Sequence, residues 1–266
     1  MTGTVYLVGA GPGAPDLLTL RAARLLERAE VVFHDALVSE EILALSPKAL
    51  KVPVGKRSGR LSTAQHFINK RLVDAARKHK VVVRLKGGDP MLFGRAHEEI
   101  AYLAAKGIPV RVVPGVTAAL AAAAELAVSL TRRGLSRSIA FLTTRAAPGE
   151  PANDWVRTAI AADTVAIYMG AGEAAAIRRD LRAAGKPAST PVAVIENASL
   201  PGASFSFGAL ENLPDIAARG SGGPSLILLG EVLADAAIIR AWSEPSSSSP
   251  TARATRTGRA RSGASR

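Results

Sequence analysis

Residues 81–95, VVVRLKGGDPMLFGR, constrain this chain more than any other stretch. Three valines open an apolar run with the character of a buried strand. The run breaks at Gly87-Gly88-Asp89-Pro90, and helix-forming sequence resumes near Arg95. Paired glycines leave bare backbone at the carboxyl end of a strand, where open α/β sheets hold ligands. Asp89 adds a carboxylate there, and Pro90 stiffens the exit. Gly and Asp are also ordinary turn residues, but a plain turn does not require Lys86, Met91, Phe93 and Arg95 around it. The stretch reads as a ligand loop.

The rest of the chain repeats this punctuation. Thr4–Val8 is an apolar strand that ends in Gly9-Ala10-Gly11-Pro12-Gly13-Ala14-Pro15. Apolar residues at helical spacing follow over 17–29, and Val31 begins a second strand. Gly9-x-Gly11-x-x-Ala14, with Asp35 further on, satisfies the spacing of a dinucleotide fingerprint, so a nicotinamide-binding oxidoreductase is a competing reading. Pro12 and Pro15 oppose it by pushing helix onset toward Asp16–Thr19, away from where a pyrophosphate would sit.

Ser39 caps a short helix over 40–45, and a strand near 50–54 leads into the basic loop Gly55-Lys56-Arg57-Ser58-Gly59-Arg60. Ser62 to Gln65 forms a capping box for the next helix. Pro114-Gly115-Val116-Thr117 breaks the sheet pattern. Beyond it strands are expected near 138–143, 164–169, 191–195 and 225–229, helices near 155–162 and 174–184, and a hairpin edge near 204–207. The fold class is α/β. Two α/β domains, residues 1–113 and 114–243, flank a cleft.

Of the formal net charge of +12, five charges are arginines of the acid-free stretch 245–266, leaving +7 for the rest. Residues 244–266 read as a disordered basic tail. The remaining excess points to an acidic ligand. With no cysteine, disulfides and thiolate chemistry are excluded. The four histidines make no metal pattern, and no Gly-x-Ser-x-Gly elbow is present. The N-terminus enters a strand at once without a signal-peptide pattern, and the most apolar run, 116–130, is too short to span a bilayer. A soluble, cytoplasmic protein is expected.

The segments VYLVGAGPGAPDLLTL, HDALVS, VGKRSGR, VVVRLKGGDPMLFGR, VVPGVTAAL, SLTRRGLSRS, AIYMG, TPVAVIENAS and SLILLGEV occur in one order over about Thr4–Val232. Together they resemble the uroporphyrinogen-III C-methyltransferase family of the tetrapyrrole methylases. The resemblance implies S-adenosylmethionine in the cleft, contacted by Pro12, Gly87, Gly88, Asp89, Leu92, Thr117, Ala118, Met169 and Ala198. It also implies Asp35 as proton acceptor, Lys56 as proton donor, no metal, and a homodimer.

The implied substrate, uroporphyrinogen III, carries eight carboxylates, for which Arg57, Arg60, Arg132 and Arg133 are the basic candidates. Methylation at carbons 2 and 7 would give precorrin-2 for sirohaem or cobalamin. The chain departs from the family pattern at Ala96-His97, Arg132 and Thr144-Arg145, near the expected substrate side. Rival activities are another precorrin methyltransferase and an RNA methyltransferase of related fold. No nucleic-acid or membrane partner is expected, and a ligand-binding protein without catalysis is opposed by Asp35 and Lys56.

Overall fold

A computed structural model describes residues 2–55, 65–146 and 153–235. Lys56, Arg57, Arg60, most of the capping box and all of the basic tail lie outside these residues. The strands are β1 (Thr4–Gly9), β2 (Val31–His34), β3 (Leu50–Pro53), β4 (Val81–Lys86), β5 (Val110–Val113), β6 (Ile139–Thr143), β7 (Thr164–Tyr168), β8 (Pro191–Glu196), β9 (Ser204–Ala209) and β10 (Ser225–Leu229). The helices are α1 (Leu20–Leu26), α2 (Glu40–Ala44), α3 (Gln65–Ala76), α4 (Ala96–Ala105), α5 (Ala118–Glu125), α6 (Trp155–Ala161), α7 (Ala174–Ala183) and α8 (Leu213–Ala217).

The first sheet has the order β3-β2-β4-β1-β5, and all its pairs are parallel. Apart from Arg84 and Lys86 on β4, its central strands are apolar on both faces, as a sheet covered by helices on each side requires. Val5, Leu7, Phe33 and Val82 pack with α3 and α4, while Val8, Val32, Val83 and Leu85 pack with α1 and α2. Parallel pairing places the carboxyl ends of all five strands on one side.

The second sheet has the order β6-β7-β10-β8-β9 and is mixed. β6 runs parallel to β7, and β10 runs antiparallel to both β7 and β8, so β6, β7 and β8 point the same way. β9 closes the edge as a hairpin with β8. Ala166, Ile195, Leu226 and Leu228 face α5, whereas Val165, Ile167, Ile227 and Leu229 face α6, α7 and α8. The chain thus leaves the first sheet at Val113, and the next helix packs on the second.

The glycine-rich turn after β1 does not open a dinucleotide-type helix. A 3-10 turn occupies Pro15–Leu17, and α1 begins only at Leu20, where Thr19 caps it by accepting from the Ala22 N–H at 3.1 Å. The two prolines delay the helix, as their fixed φ and missing N–H dictate. Among the described residues no helix is long and apolar enough to cross a membrane, and no cluster of His, Cys, Asp and Glu suits a metal ion.

Candidate functional site

The ends of β1, β4 and β5 are joined backbone to backbone. Gly11 and Gly88 form a bridge in which the Gly88 N–H donates to the Gly11 carbonyl at 2.7 Å and the Gly11 N–H to the Gly88 carbonyl at 3.2 Å. A side chain at Gly115 would collide with the Gly88 carbonyl and with the Cα of Gly9. Only a chain without side chains at these points brings three strand ends so close. Asp89 completes the assembly: Oδ1 accepts from the Met91 N–H at 2.8 Å and Oδ2 from the Gly115 N–H at 2.9 Å. Its carboxylate is a clamp between the loops after β4 and β5.

The second sheet meets this assembly from the other side. Thr117 heads α5, yet its side chain does not cap that helix. Its hydroxyl lies 2.6 Å from the Tyr168 hydroxyl, which also accepts from the Ala119 N–H at 3.1 Å. Burial pushes the Tyr168 phenol above its ordinary range, an effect opposed by these two bonds. Phe93 packs on the Tyr168 ring at 5.1 Å. Ser199, after β8, accepts the Ala14 N–H on its hydroxyl at 3.1 Å, and Leu200 fills the space beside Gly13. The loops after β1, β4, β5, β7 and β8 therefore meet.

Backbone strain gathers in the same loops. Among the described residues six non-glycine residues have positive φ: Phe93, Arg95, Met169, Asn197 and Ser199 stand at these strand ends, and Ala127 stands at the end of α5. Left-handed backbone costs a residue with a Cβ about 1–2 kcal/mol, and such residues cluster where function holds them. Met91, Phe93 and Met169 are exposed large apolar side chains of these loops, and Leu37 is another in the loop after β2. Exposed Gly87 has nothing closer to a would-be Cβ than Leu37, at 3.8 Å. Open glycine backbone beside exposed apolar side chains fits a ligand with one polar and one apolar end.

Behind these loops lies a buried charge cluster. Arg84 and Lys86 share one face of β4, and both are nearly inaccessible. Arg84 donates through Nη2 to Asp35 Oδ1 at 2.5 Å, through Nε to Glu99 Oε1 at 3.1 Å and through Nη1 to the Leu85 carbonyl at 3.2 Å. Lys86 Nζ and Gln65 Nε2 donate to the same Glu99 oxygen at 3.2 and 3.0 Å. Burial, and after it the neighbouring Arg84, pulls the Lys86 ammonium below its ordinary range, while Glu99 and Asp35 oppose the shift. Asp35 is the one member with solvent access, its side chain being 31% exposed. Gly55 packs against the backbone of Asp35 and Ala36.

Of the residues expected at the site, Pro12, Gly87, Gly88, Asp89, Leu92, Thr117, Ala118, Met169 and Ala198 all stand in these strand-end segments or at the start of α5, and Asp35 follows β2. Thr117 and Ala198 are buried, and the Thr117 hydroxyl is engaged by Tyr168. Arg132 and Arg133 are exposed in the turn before β6, at the opposite end of that strand from Thr143, with Arg132 Nη1 3.7 Å from Asp235. Sequence reasoning did not single out Arg84, Glu99, Tyr168 or Ser199. The visible signal was Arg84 alternating with Lys86 in a strand otherwise apolar, since two buried cations demand a buried acid.

Loops that converge at the carboxyl ends of strands from two sheets define an α/β protein with a candidate ligand site between the sheets. Residues 4–214 match Tetrapyrrole (Corrin/Porphyrin) Methylases, and the chain belongs to that family. It is 44% identical over 232 residues to siroheme synthase 1 of Cronobacter sakazakii, a match covering 87% of this chain and 49% of that protein. The chain thus spans about half the length of the curated relatives it matches.

Among solved structures, uroporphyrin-III C-methyl transferase from Thermus thermophilus, complexed with S-adenyl homocysteine, is 41% identical with a TM-score of 0.77. That match covers 87% of this chain and 99% of the other. A cobalt precorrin-4 methyltransferase is 30% identical with a TM-score of 0.76, covering 86% and 95%.

Proposed function

We propose that this chain is an S-adenosylmethionine-dependent C-methyltransferase that methylates uroporphyrinogen III at carbons 2 and 7, giving precorrin-2 for sirohaem or cobalamin synthesis. The observation that carries this reading is the likeness, over almost the whole of the other chain, to a uroporphyrin-III C-methyl transferase crystallised with the demethylated donor. The open Gly87 backbone and the apolar Leu92 and Met169 suit such a donor, with Pro12, Gly88, Ala118 and Ala198 around it and Asp89 and Thr117 holding the loops in place.

When bound, the donor supplies an electrophilic methyl group. The chain's part is to hold an electron-rich pyrrole carbon in line with it, exclude water and receive the proton that the alkylated ring must lose. Asp35 is the proposed proton acceptor: it is reachable from solvent, and Arg84 holds it in one orientation. Lys56, one residue past Gly55, is the proposed donor. Arg57 and Arg60 are the proposed partners of the substrate carboxylates; Arg132 and Arg133, expected in the same role, stand at the far end of β6 from these loops. The same reading includes a cytoplasmic homodimer.

The test is an anaerobic incubation of the purified chain with S-adenosylmethionine and uroporphyrinogen III, followed by mass spectrometry of the tetrapyrrole. Gain of two methyl groups is expected. Donor binding without methylation would move the substrate to a later precorrin, the reading that the likeness to the cobalt precorrin-4 enzyme favours next.

A further inference from the structure

Glu99 lies on α4 with no solvent exposure and takes no part in the loops that frame the site. Three donors converge on its Oε1, two of them cations of β4, while its Oε2 has no hydrogen-bond partner among the described residues. The adjacent Glu98 behaves differently: it is exposed and pairs with Arg95 across one helical turn at 2.7 Å. A buried set of ion pairs is a poor way to gain stability, because desolvation offsets the attraction and apolar side chains would pack α4 on β4 at least as well. What such a set supplies is fixed geometry. Every nitrogen of the Arg84 guanidinium is engaged: Nε by Glu99, Nη1 by the Leu85 carbonyl and Nη2 by Asp35. A planar fork held at two nitrogens leaves the third with one direction to point.

We propose that Glu99 is a positioning residue for methyl transfer: it locks the Arg84 guanidinium so that its outer nitrogen fixes the Asp35 carboxylate at the mouth of the site. The proposal rests on the function given above, with Asp35 as proton acceptor. The buried end of the relay (Glu99 and Lys86) balances charge, and the accessible end (Asp35) meets the substrate. Glu99 thus acts through Arg84 and does not touch the reacting atoms. A misplacement of about 1 Å at a reacting group can cost about a hundredfold in rate, so a residue one side chain removed governs kcat without contributing to donor binding.

The experiment combines kinetics with a spectrum that needs no substrate. Glu99→Gln is expected to lower kcat for uroporphyrinogen III about 10- to 100-fold, with KM for S-adenosylmethionine within about twofold. In a double-mutant cycle with Asp35→Asn, Glu99→Gln should cause little further loss, because both changes act on the same carboxylate. In nitrogen-15 spectra of the ligand-free chain, the Arg84 guanidinium should show slow rotation of its outer nitrogens in the wild type and faster rotation in Glu99→Gln.

An unchanged Arg84 spectrum, or losses that multiply in the cycle, would overturn the inference. Should Glu99→Gln fail to fold, Arg84→Lys keeps the charge but replaces the fork with one ammonium. It is expected to lose kcat to a similar extent, and full retention would overturn the inference. A wild-type chain that methylates no uroporphyrinogen III would instead overturn the functional reading beneath it, while the Arg84 spectrum still reports on Glu99.

Discussion

The Tyr168 hydroxyl, at the end of β7, lies 2.6 Å from the Thr117 hydroxyl at the head of α5 and stands in for the missing side-chain cap of that helix. One phenol therefore satisfies an otherwise orphaned N–H and ties α5 to the second sheet.

Tyr168→Phe removes both bonds while keeping the ring that packs on Phe93 and Phe141. It should lower unfolding free energy by about 1–2 kcal/mol, the cost of leaving buried polar partners unpaired. Urea unfolding measures this, and donor affinity should fall with it because α5 begins at the site. An unchanged midpoint would mean that the tie contributes nothing.

Gly115→Ala tests the contact between strand ends. The added methyl meets the Gly88 carbonyl, a backbone atom that moves only with the whole loop. Overpacking of this kind costs about 1–3 kcal/mol. Calorimetric titration with S-adenosylhomocysteine should show affinity lowered about tenfold or more, since 1.4 kcal/mol is tenfold. Wild-type affinity would show that the donor does not sense this junction.

Asp35→Asn keeps the size of the side chain and a hydrogen-bond acceptor for Arg84 but removes the base. The methylation rate should fall about 10²-fold or more, the usual contribution of a positioned base. Binding of S-adenosylhomocysteine should stay near the wild-type value. A variant that still turns over at the normal rate would assign the proton to another group.

Glu196, at the end of β8, accepts from the Ser221 N–H at 2.8 Å and from the Ser221 hydroxyl at 3.1 Å, and also from the Gly223 N–H. The backbone bond from Ser221 leads the causes that hold its carboxyl below the ordinary value of 4.5. A depressed carboxylate adds stability that is fully present above the unfolded-state value and lost as pH falls through the folded-state value. Glu196→Gln should therefore cost about 1–3 kcal/mol near neutral pH, and the gap from wild type should narrow below about pH 4. Urea unfolding at both pH values checks this, and a gap that stays constant would refute the assignment.

Features fixed by local chemistry could be read from the chain. Ser39 heads α2 and accepts from the Ile42 N–H, Gly107 and Gly185 end helices with positive φ, and the prolines after Gly11 delay α1. The short helix α8 was missed because Pro214 reads as a breaker, although proline is well suited to a first helical turn. The left-handed backbone at Phe93, Met169 and Ser199 has no signal in residue type, because strain is imposed by tertiary contacts, whereas Asn197 is a residue type that visits this region readily.

The same holds within the site. Gly87-Gly88-Asp89 announced a ligand loop, but that the Asp89 carboxylate would also clamp Gly115 depends on a neighbour 26 positions away. Arg84 finds Asp35 across 49 positions and Glu99 across 15, so the pairings existed only once β2, β4 and α4 were packed.

The three residues Gly115, Val116 and Thr117 are all that separates a hydrogen bond to the first sheet, through Asp89, from a hydrogen bond to the second, through Tyr168. A crossing braced on both sides within three residues is a short joint, not a long tether. Motion of one sheet against the other is confined to the few backbone dihedrals between these two anchors, so the walls on either side of a ligand seated there share one short joint.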